Sequence, residues 1–217
     1  MTLIYPSLIS ADLLNLGTVI KSIDPYCAGY HLDVMDFHFA PNLTWGPAFL
    51  EAIAGATAKK LWVHLMVENP DLWIEKLNLP PQTIVTFHIE STNSVAHIIK
   101  LIQNKNWLPS IAISPKTDVN ECFPFLESAH QVLIMSVEPG HSGQQFMPAM
   151  MDKVEQLVEF RTFHKMNFRI GIDGGINKQN INIVAKKGVD DIGVANAIFG
   201  QQDPVTALQE LHVLLIK

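Results

Sequence analysis

Short apolar runs rich in β-branched residues alternate with longer stretches of helical period from one end of the chain to the other. The runs lie at 3–8 (LIYPSL), 29–35 (GYHLDVM), 61–67 (LWVHLMV), 83–88 (TIVTFH), 110–114 (SIAIS), 131–137 (QVLIMSV), 168–173 (FRIGID) and 190–195 (DDIGVA). Their length and bounding turn residues read as strands. The intervening stretches predict helices at 15–23, 47–56, 70–77, 93–104, 119–126, 150–164, 178–188 and 204–215. Several of these open on Asn, Asp or Pro, as first turns prefer. Gly188, after "VAKK", reads as a glycine that ends a helix. Two prolines in "LNLPPQT" at 77–83 end another and lead into the fourth strand. Strict alternation with short connections predicts a parallel sheet. Eight repeats predict its closure into a (β/α)₈ TIM barrel rather than an open doubly wound sheet. No linker, charge block or low-complexity tract interrupts the pattern, so residues 1–217 are expected to form one domain.

Composition narrows the function classes. Of 217 residues, 48% are hydrophobic and 17% charged, enough apolar material for a large core and no signature of disorder. The formal charge of -6, with lysines and arginines scattered singly, lacks the basic stripe that nucleic acid binding requires. Cys27 and Cys122 are far apart in sequence; they can be imagined as a disulfide, but there is no secreted framework and no CxxC metal pattern. The N-terminus lacks a basic leader region, and no stretch has the roughly 18 uninterrupted apolar residues of a membrane span. The expectation is a cytoplasmic chain with no membrane partner.

Against this apolar background the stretch "YHLDVMDFHFAPN" is anomalous. It begins as a buried strand, yet it carries His31, Asp33 and Asp36, groups that are costly to desolvate without partners. Residues i and i+2 of a strand share a face, so His31, Asp33 and Met35 point together. If Leu32 and Val34 face the helices, the other three face the barrel interior near the strand's C-terminal end, where barrel enzymes carry their chemistry. The third strand repeats the arrangement with His64 and Met66, and the seventh ends in Asp173. Imidazole and carboxylate converging on one mouth suit a divalent Zn, Fe, Mn or Co ion. A satisfied core histidine is the ordinary alternative for either imidazole alone. His97, His130, His164 and His212 read as surface residues, and His38 and His88 as neighbours of the mouth. Glycine-rich segments follow the sixth strand ("VEPGHSGQQF", 137–146) and the seventh ("DGGIN", 173–177). Exposed amides in such loops can cradle a phosphate, although glycines also serve plain tight turns.

Taken together these segments resemble the ribulose-phosphate 3-epimerase family of phosphate-binding (β/α)₈ barrels. "PSLISADLLNL" (6–16), "HLDVMDFHFAPNLTWGP" (31–47), "VHLMVENP" (63–70), "TFHIES" (86–91), "ISPKT" (113–117), "LIMSVEPGHSGQQF" (133–146) and "IDGGINKQN" (172–180) match in order and spacing. The resemblance implies that His31, Asp33, His64 and Asp173 bind one divalent metal ion. It implies that Asp33 and Asp173 also act as an acid–base pair, inverting C3 of a ketose phosphate through a metal-stabilised enediolate. Met35, Met66 and Met135 would line the site, as generic core residues or as a barrier to water. Ser7 and His64 would lie by the substrate's hydroxyls. The phosphate would rest on Ser142, Gly143, Gly174, Gly175 and, in the eighth loop, Ala195 and Asn196. Relatives commonly self-associate, which implies a homo-oligomer.

Departures from the family pattern fall on the substrate side. Phe37 replaces a glycine in "DVMDGHF", His141 and Ser142 stand in a loop that usually reads "PGFGGQ", and Ala195 and Asn196 replace a Gly-Ser pair. D-ribulose 5-phosphate is therefore the first substrate expected, with a six-carbon ketose phosphate such as allulose 6-phosphate as the alternative. A non-catalytic phosphosugar-binding relative and a metal-dependent hydrolase also compete. A related barrel decarboxylase fits less well, because "LDVMD" lacks the lysine of an Asp-x-Lys-x-x-Asp run.

Overall fold

The computed structural model describes residues 1–216. Eight strands form one parallel sheet: β1 (Leu3–Pro6), β2 (Gly29–Met35), β3 (Lys60–Met66), β4 (Ile84–His88), β5 (Leu108–Ile113), β6 (Gln131–Met135), β7 (Arg169–Asp173) and β8 (Asp191–Val194). Each strand pairs with its sequence neighbour from β2 to β8, and β8 pairs with β1. The remaining seam, between β1 and β2, is joined by a parallel bridge from Ser7 to His31. The sheet is thus a nearly closed barrel, the (β/α)₈ architecture expected from the alternation.

The helices are α1 (Leu16–Ile23), α2 (Pro47–Ala56), α3 (Pro70–Lys76), α4 (Val95–Asn104), α5 (Met150–Phe163), α6 (Ile181–Lys186), α7 (Asn196–Phe199) and α8 (Pro204–Ile216). In α4, Val95, Ile98, Ile99 and Ile102 are buried, while His97 and Lys100 face water. That spacing of three and four places one apolar stripe on the barrel. Each buried aliphatic side chain contributes about 1.5–3 kcal/mol of transfer free energy. Gly188 follows α6 with φ +102°, the left-handed stop that its position suggests.

The largest differences from the sequence reading lie in the second half of the chain. The predicted helix at 119–126 is a 3₁₀ helix, Val119–Phe125, because Pro124 lies inside it and cannot donate the amide an α-helix needs. The helix expected over 178–188 is shortened to Ile181–Lys186, its start displaced by a turn in which Asn180 Oδ1 accepts from Asn177 N. The four-residue α7 falls within a segment read as loop. Cys27 and Cys122 are both buried and free, so they do not form a disulfide. Among the described residues no helix is long and apolar enough to cross a membrane.

The barrel interior is layered. At its N-terminal end Arg169 grips the buried Asp191, whose Oδ2 also accepts from Gln131 Nε2 at 2.8 Å, and Gln131 Oε1 accepts from Ser110. Above them lies Trp62, wholly buried, its indole N–H donating to Thr86 Oγ1 at 2.8 Å. Gly171 makes room for that ring, since a Cβ there would come within 3.0 Å of it. Trp62 is the floor beneath the polar groups at the C-terminal mouth, and His31 packs edge-on against it at 4.6 Å between ring centroids.

Candidate active site and metal centre

β2, β3 and β7 deliver their polar residues to the same point. Parallel register sets Asp33 opposite His64 across β2 and β3, and alternation keeps His31, Asp33 and His64 on the inner face. One ligand atom from each of His31, Asp33, His64 and Asp173 lies within 4.8 Å of every other. Asp33 is at the centre of the group. Its Oδ2 accepts from Ser7 Oγ at 2.6 Å and lies 3.2 Å from His31 Nδ1, while Oδ1 lies 3.2 Å from His64 Nδ1. Gly193 on β8 leaves room for the fourth member, because a Cβ there would sit 2.8 Å from Asp173 Oδ1.

The electrostatics of the cluster are uneven. Burial favours neutral Asp33, but the adjoining His31 and His64 outweigh it and hold the carboxyl far below the usual range. Asp173 moves the other way, raised by burial with the Asp33 charge adding, against the opposing pull of the histidines. Burial works against protonated His31, yet Asp33 and then Asp173 leave its pKa raised. Two carboxylates and two imidazoles in so small a volume are the donor set of a divalent cation. His31 Nε2 supplies an independent sign: it is buried and has no hydrogen-bond partner. A buried imidazole nitrogen with no protein partner, on a residue of this cluster, is free to serve as a ligand atom, so these residues fit a metal ion.

Above the cluster opens a cavity of about 400 Å³, lined by Ser7, Asp33, Asp173, the three methionines Met35, Met66 and Met135, and the loops after β6, β7 and β8. Ser142, Gly143, Gly174, Gly175, Ala195 and Asn196, the positions expected to hold phosphate, all border it. His31 and His64 are wholly buried and lie behind that lining rather than in it. The loop after β6 is tethered from two sides, by Ser10 Oγ to Ser142 Oγ at 2.9 Å and by Asn42 Nδ2 to the Gly140 carbonyl at 2.9 Å.

Other polar residues of the mouth have structural duties. Asp36 accepts from the amides of His38, Phe39 and Glu68, so it ties a turn and takes no part in the cluster. Inside that turn Phe37 keeps φ +65°, and the residue is 68% exposed. The backbone therefore retains the left-handed shape that a glycine would take there, at a cost of roughly 1–2 kcal/mol. Phe37→Gly is expected to raise stability by about 1 kcal/mol after the entropy lost to glycine, or roughly 2–4 °C in Tm. A thermal melt that is unchanged or lowered would show that the ring's packing matches the strain.

Sequence reasoning undervalued His88 and Glu90. His88 is wholly buried, and its Nε2 lies 2.9 Å from His64 Nε2. Burial, with His64 adding and Glu90 opposing, takes its pKa down to about 4. Burial would raise Glu90, yet its bonds to His88, Thr117 and Ser114 bring it to about 2. The signal was the H-x-E spacing in "TFHIES", the same alternation that marked β2. Lys178, which also lines the cavity and is paired with Glu210, carried no signal beyond its place in the loop after β7. His97 and His164 are exposed as expected, whereas His130 and His212 are half-buried; His38, read as a neighbour of the mouth, is exposed and bonds the Asp36 turn.

Comparison with known proteins bears on this geometry. The model of the "Ribulose-phosphate 3 epimerase family" matches residues 3–199. A ribulose-phosphate 3-epimerase of Methanocaldococcus jannaschii is 36% identical over 98% of this chain and 90% of its own length. A ribulose-phosphate 3-epimerase of Bacillus subtilis is 32% identical over 98% and 99%. Among solved structures, a crystal structure of 3-hexulose-6-phosphate synthase superposes with a TM-score of 0.71 at 16% identity, covering 99% of this chain and 100% of that one, and speaks to the fold alone.

Proposed function

The chain belongs to the ribulose-phosphate 3-epimerase family, and from that premise we propose that it inverts C3 of a ketose phosphate, interconverting D-ribulose 5-phosphate and D-xylulose 5-phosphate. The observation that carries the proposal is the approach of Asp33 and Asp173, on strands from opposite parts of the sheet, to within 4.8 Å at the floor of one cavity. That spacing lets two carboxylates address a single small molecule. About 400 Å³ is ample for a five-carbon sugar phosphate and falls in the ordinary range of ligand sites.

A C–H beside a ketone is a weak acid, and its removal needs a base at the carbon and positive charge at the oxygen. A divalent Zn, Fe, Mn or Co ion held by His31, Asp33, His64 and Asp173 would supply the Lewis acidity that steadies charge on the substrate oxygens. The residues do the rest. One aspartate takes the C3 proton and the other returns a proton to the opposite face, which inverts the centre. Ser7, donating to Asp33, fixes that carboxylate's rotamer. Met35, Met66 and Met135 wall the reacting carbon from water. Backbone amides at Ser142, Gly143, Gly174, Gly175, Ala195 and Asn196 receive the phosphate.

The test is proton exchange in deuterated water. With Zn²⁺ present, D-ribulose 5-phosphate is expected to gain deuterium at C3 as D-xylulose 5-phosphate forms, with slower exchange into D-allulose 6-phosphate. Faster exchange into the six-carbon sugar would move the substrate to that class. No exchange into either would overturn the proposal and favour a binding protein.

A further inference from the structure

Beyond the four ligands, a chain of contacts runs outward from His64 to α5. His64 Nε2 meets His88 Nε2 at 2.9 Å, and His88 Nδ1 meets Glu90 Oε2 at 3.1 Å. Glu90 Oε1 is engaged on its other side, accepting from Ser114 N at 2.8 Å and from the Thr117 hydroxyl. The Ser114–Thr117 segment is anchored in turn by Lys153 of α5, whose ammonium donates to the carbonyls of Ser114, Pro115 and Thr117. Phe39 lies over the His88 ring at 4.6 Å between centroids.

The direction of each hydrogen bond follows from the outer end. A carboxylate only accepts, so Glu90 makes His88 Nδ1 the protonated nitrogen. Ser114 Oγ, 3.3 Å from the same nitrogen, can share that proton as a second acceptor. The other nitrogen of neutral His88 then has a lone pair and no hydrogen. Two imidazole nitrogens 2.9 Å apart need one proton between them, and that proton must come from His64 Nε2. His64 is left with a bare lone pair on Nδ1, aimed at Asp33 Oδ1 at 3.2 Å. A lone pair and a carboxylate oxygen at that separation repel unless a cation lies between them.

We propose that His88 and Glu90 are positioning residues that hold His64 as its Nε2–H tautomer and thereby make Nδ1 the metal-ligating atom. The relay rests on the metal centre of the proposed function but concerns the ion's binding, so it stands or falls apart from the sugar. It also accounts for a buried histidine that no step at the substrate uses: the second imidazole converts the acceptor character of Glu90 into donor character at the ligand's far nitrogen. Outer partners of this kind set the orientation and basicity of a metal's histidine, and their loss typically weakens binding about 10–100-fold.

Glu90→Gln tests the relay without changing its shape. The two donors at Oε1 keep the new carbonyl oxygen in place, which turns the amide NH₂ toward His88 Nδ1. His88 is then protonated at Nε2 and presents a donor to His64, whose proton moves to Nδ1. Zn²⁺ affinity, read by competition with a chromophoric chelator, is expected to fall about 10–100-fold in E90Q. Long-range ¹H–¹⁵N correlation on the metal-free proteins is expected to show His64 protonated at Nε2 in the wild type and at Nδ1 in E90Q. A folded E90Q whose His64 keeps the Nε2 proton, or which binds Zn²⁺ as tightly as the wild type, overturns the relay and leaves the metal centre standing. A wild-type protein that binds no Zn²⁺ removes the metal centre and the relay together. Tight Zn²⁺ binding with the expected tautomers, but no C3 exchange, leaves the relay intact and removes only the epimerase.

Discussion

Replacing Asp33 or Asp173 with Asn is expected to suppress net epimerisation by roughly 10²–10⁴-fold, while each variant still washes the C3 proton of one epimer into solvent. A carboxamide accepts no proton at neutral pH, so each variant loses one of the two transfers that inversion requires. The surviving carboxylate can still take the C3 proton from its own side and return a deuteron there. Asp33→Asn and Asp173→Asn are therefore expected to label opposite epimers in deuterated water. Both positions are also ligands, and an amide oxygen binds a cation less well, so the assay belongs at saturating Zn²⁺ with loading checked by metal analysis. Label in the same epimer from both variants, or retained inversion in either, would mean that the two aspartates are not the proton carriers. The uneven environment of the pair makes the contrast worth measuring. The Asp33 carboxyl has its pKa drawn down, first by the adjoining His31, and is oriented by Ser7, while Asp173 is half-buried with its pKa pushed upward. Arranging unlike surroundings for two nearby carboxyls is a recognised route to assigning one as base and the other as acid.

Gly175→Ala is expected to raise KM for the sugar phosphate at least about tenfold and to cost about 2–4 kcal/mol of stability, with Zn²⁺ affinity retained. The loops after β6 and β7 touch backbone to backbone at this residue. A Cβ would lie 2.4 Å from Phe146 N, 2.7 Å from its Cα and 2.9 Å from the Gln144 carbonyl oxygen. Main-chain atoms do not rotate away as a side chain can, so the two loops must part. The φ of +65° adds a penalty for any residue with a Cβ. Because the amides proposed to receive the phosphate sit on both loops, parting them misaligns the cradle. The metal ligands are on β2, β3 and β7 and do not depend on that contact. Denaturant unfolding, steady-state kinetics and chelator competition on one preparation separate the three effects. An unchanged KM with the expected loss of stability would show that phosphate is not held between these loops.

Much of this was legible along the chain because barrel strands have a period of two and barrel helices one of 3.6. Every strand was placed by its apolar run, and the pairs His31–Asp33 and His64–Met66 revealed their common inner face through i, i+2 spacing alone. Misread segments share a cause. Pro124 imposes local geometry that apolar periodicity does not report, and the turn around Asn177 and Asn180 delays α6 through side-chain bonds to amides. Phe37 shows the reverse case. A bulky residue stands at a left-handed position, and the bonds that Asp36 makes to three amides, with that of Phe37 N to the Asn42 carbonyl, hold that backbone.

The sequence by itself determined that the protein is a parallel (β/α)₈ barrel with two histidines and two aspartates brought to its C-terminal mouth, because alternation and face periodicity are local properties. Only the tertiary structure decided which of the polar residues do what. Asp36 became a turn tie, His64 was buried behind the cavity lining, and His88 with Glu90 came to stand beyond it. Those outcomes depend on how strands distant in sequence align in register and on how closely one loop's backbone packs on the next. The packing sets which nitrogen keeps its proton and which lone pair faces a cation, and no pattern along a single strand contains that information.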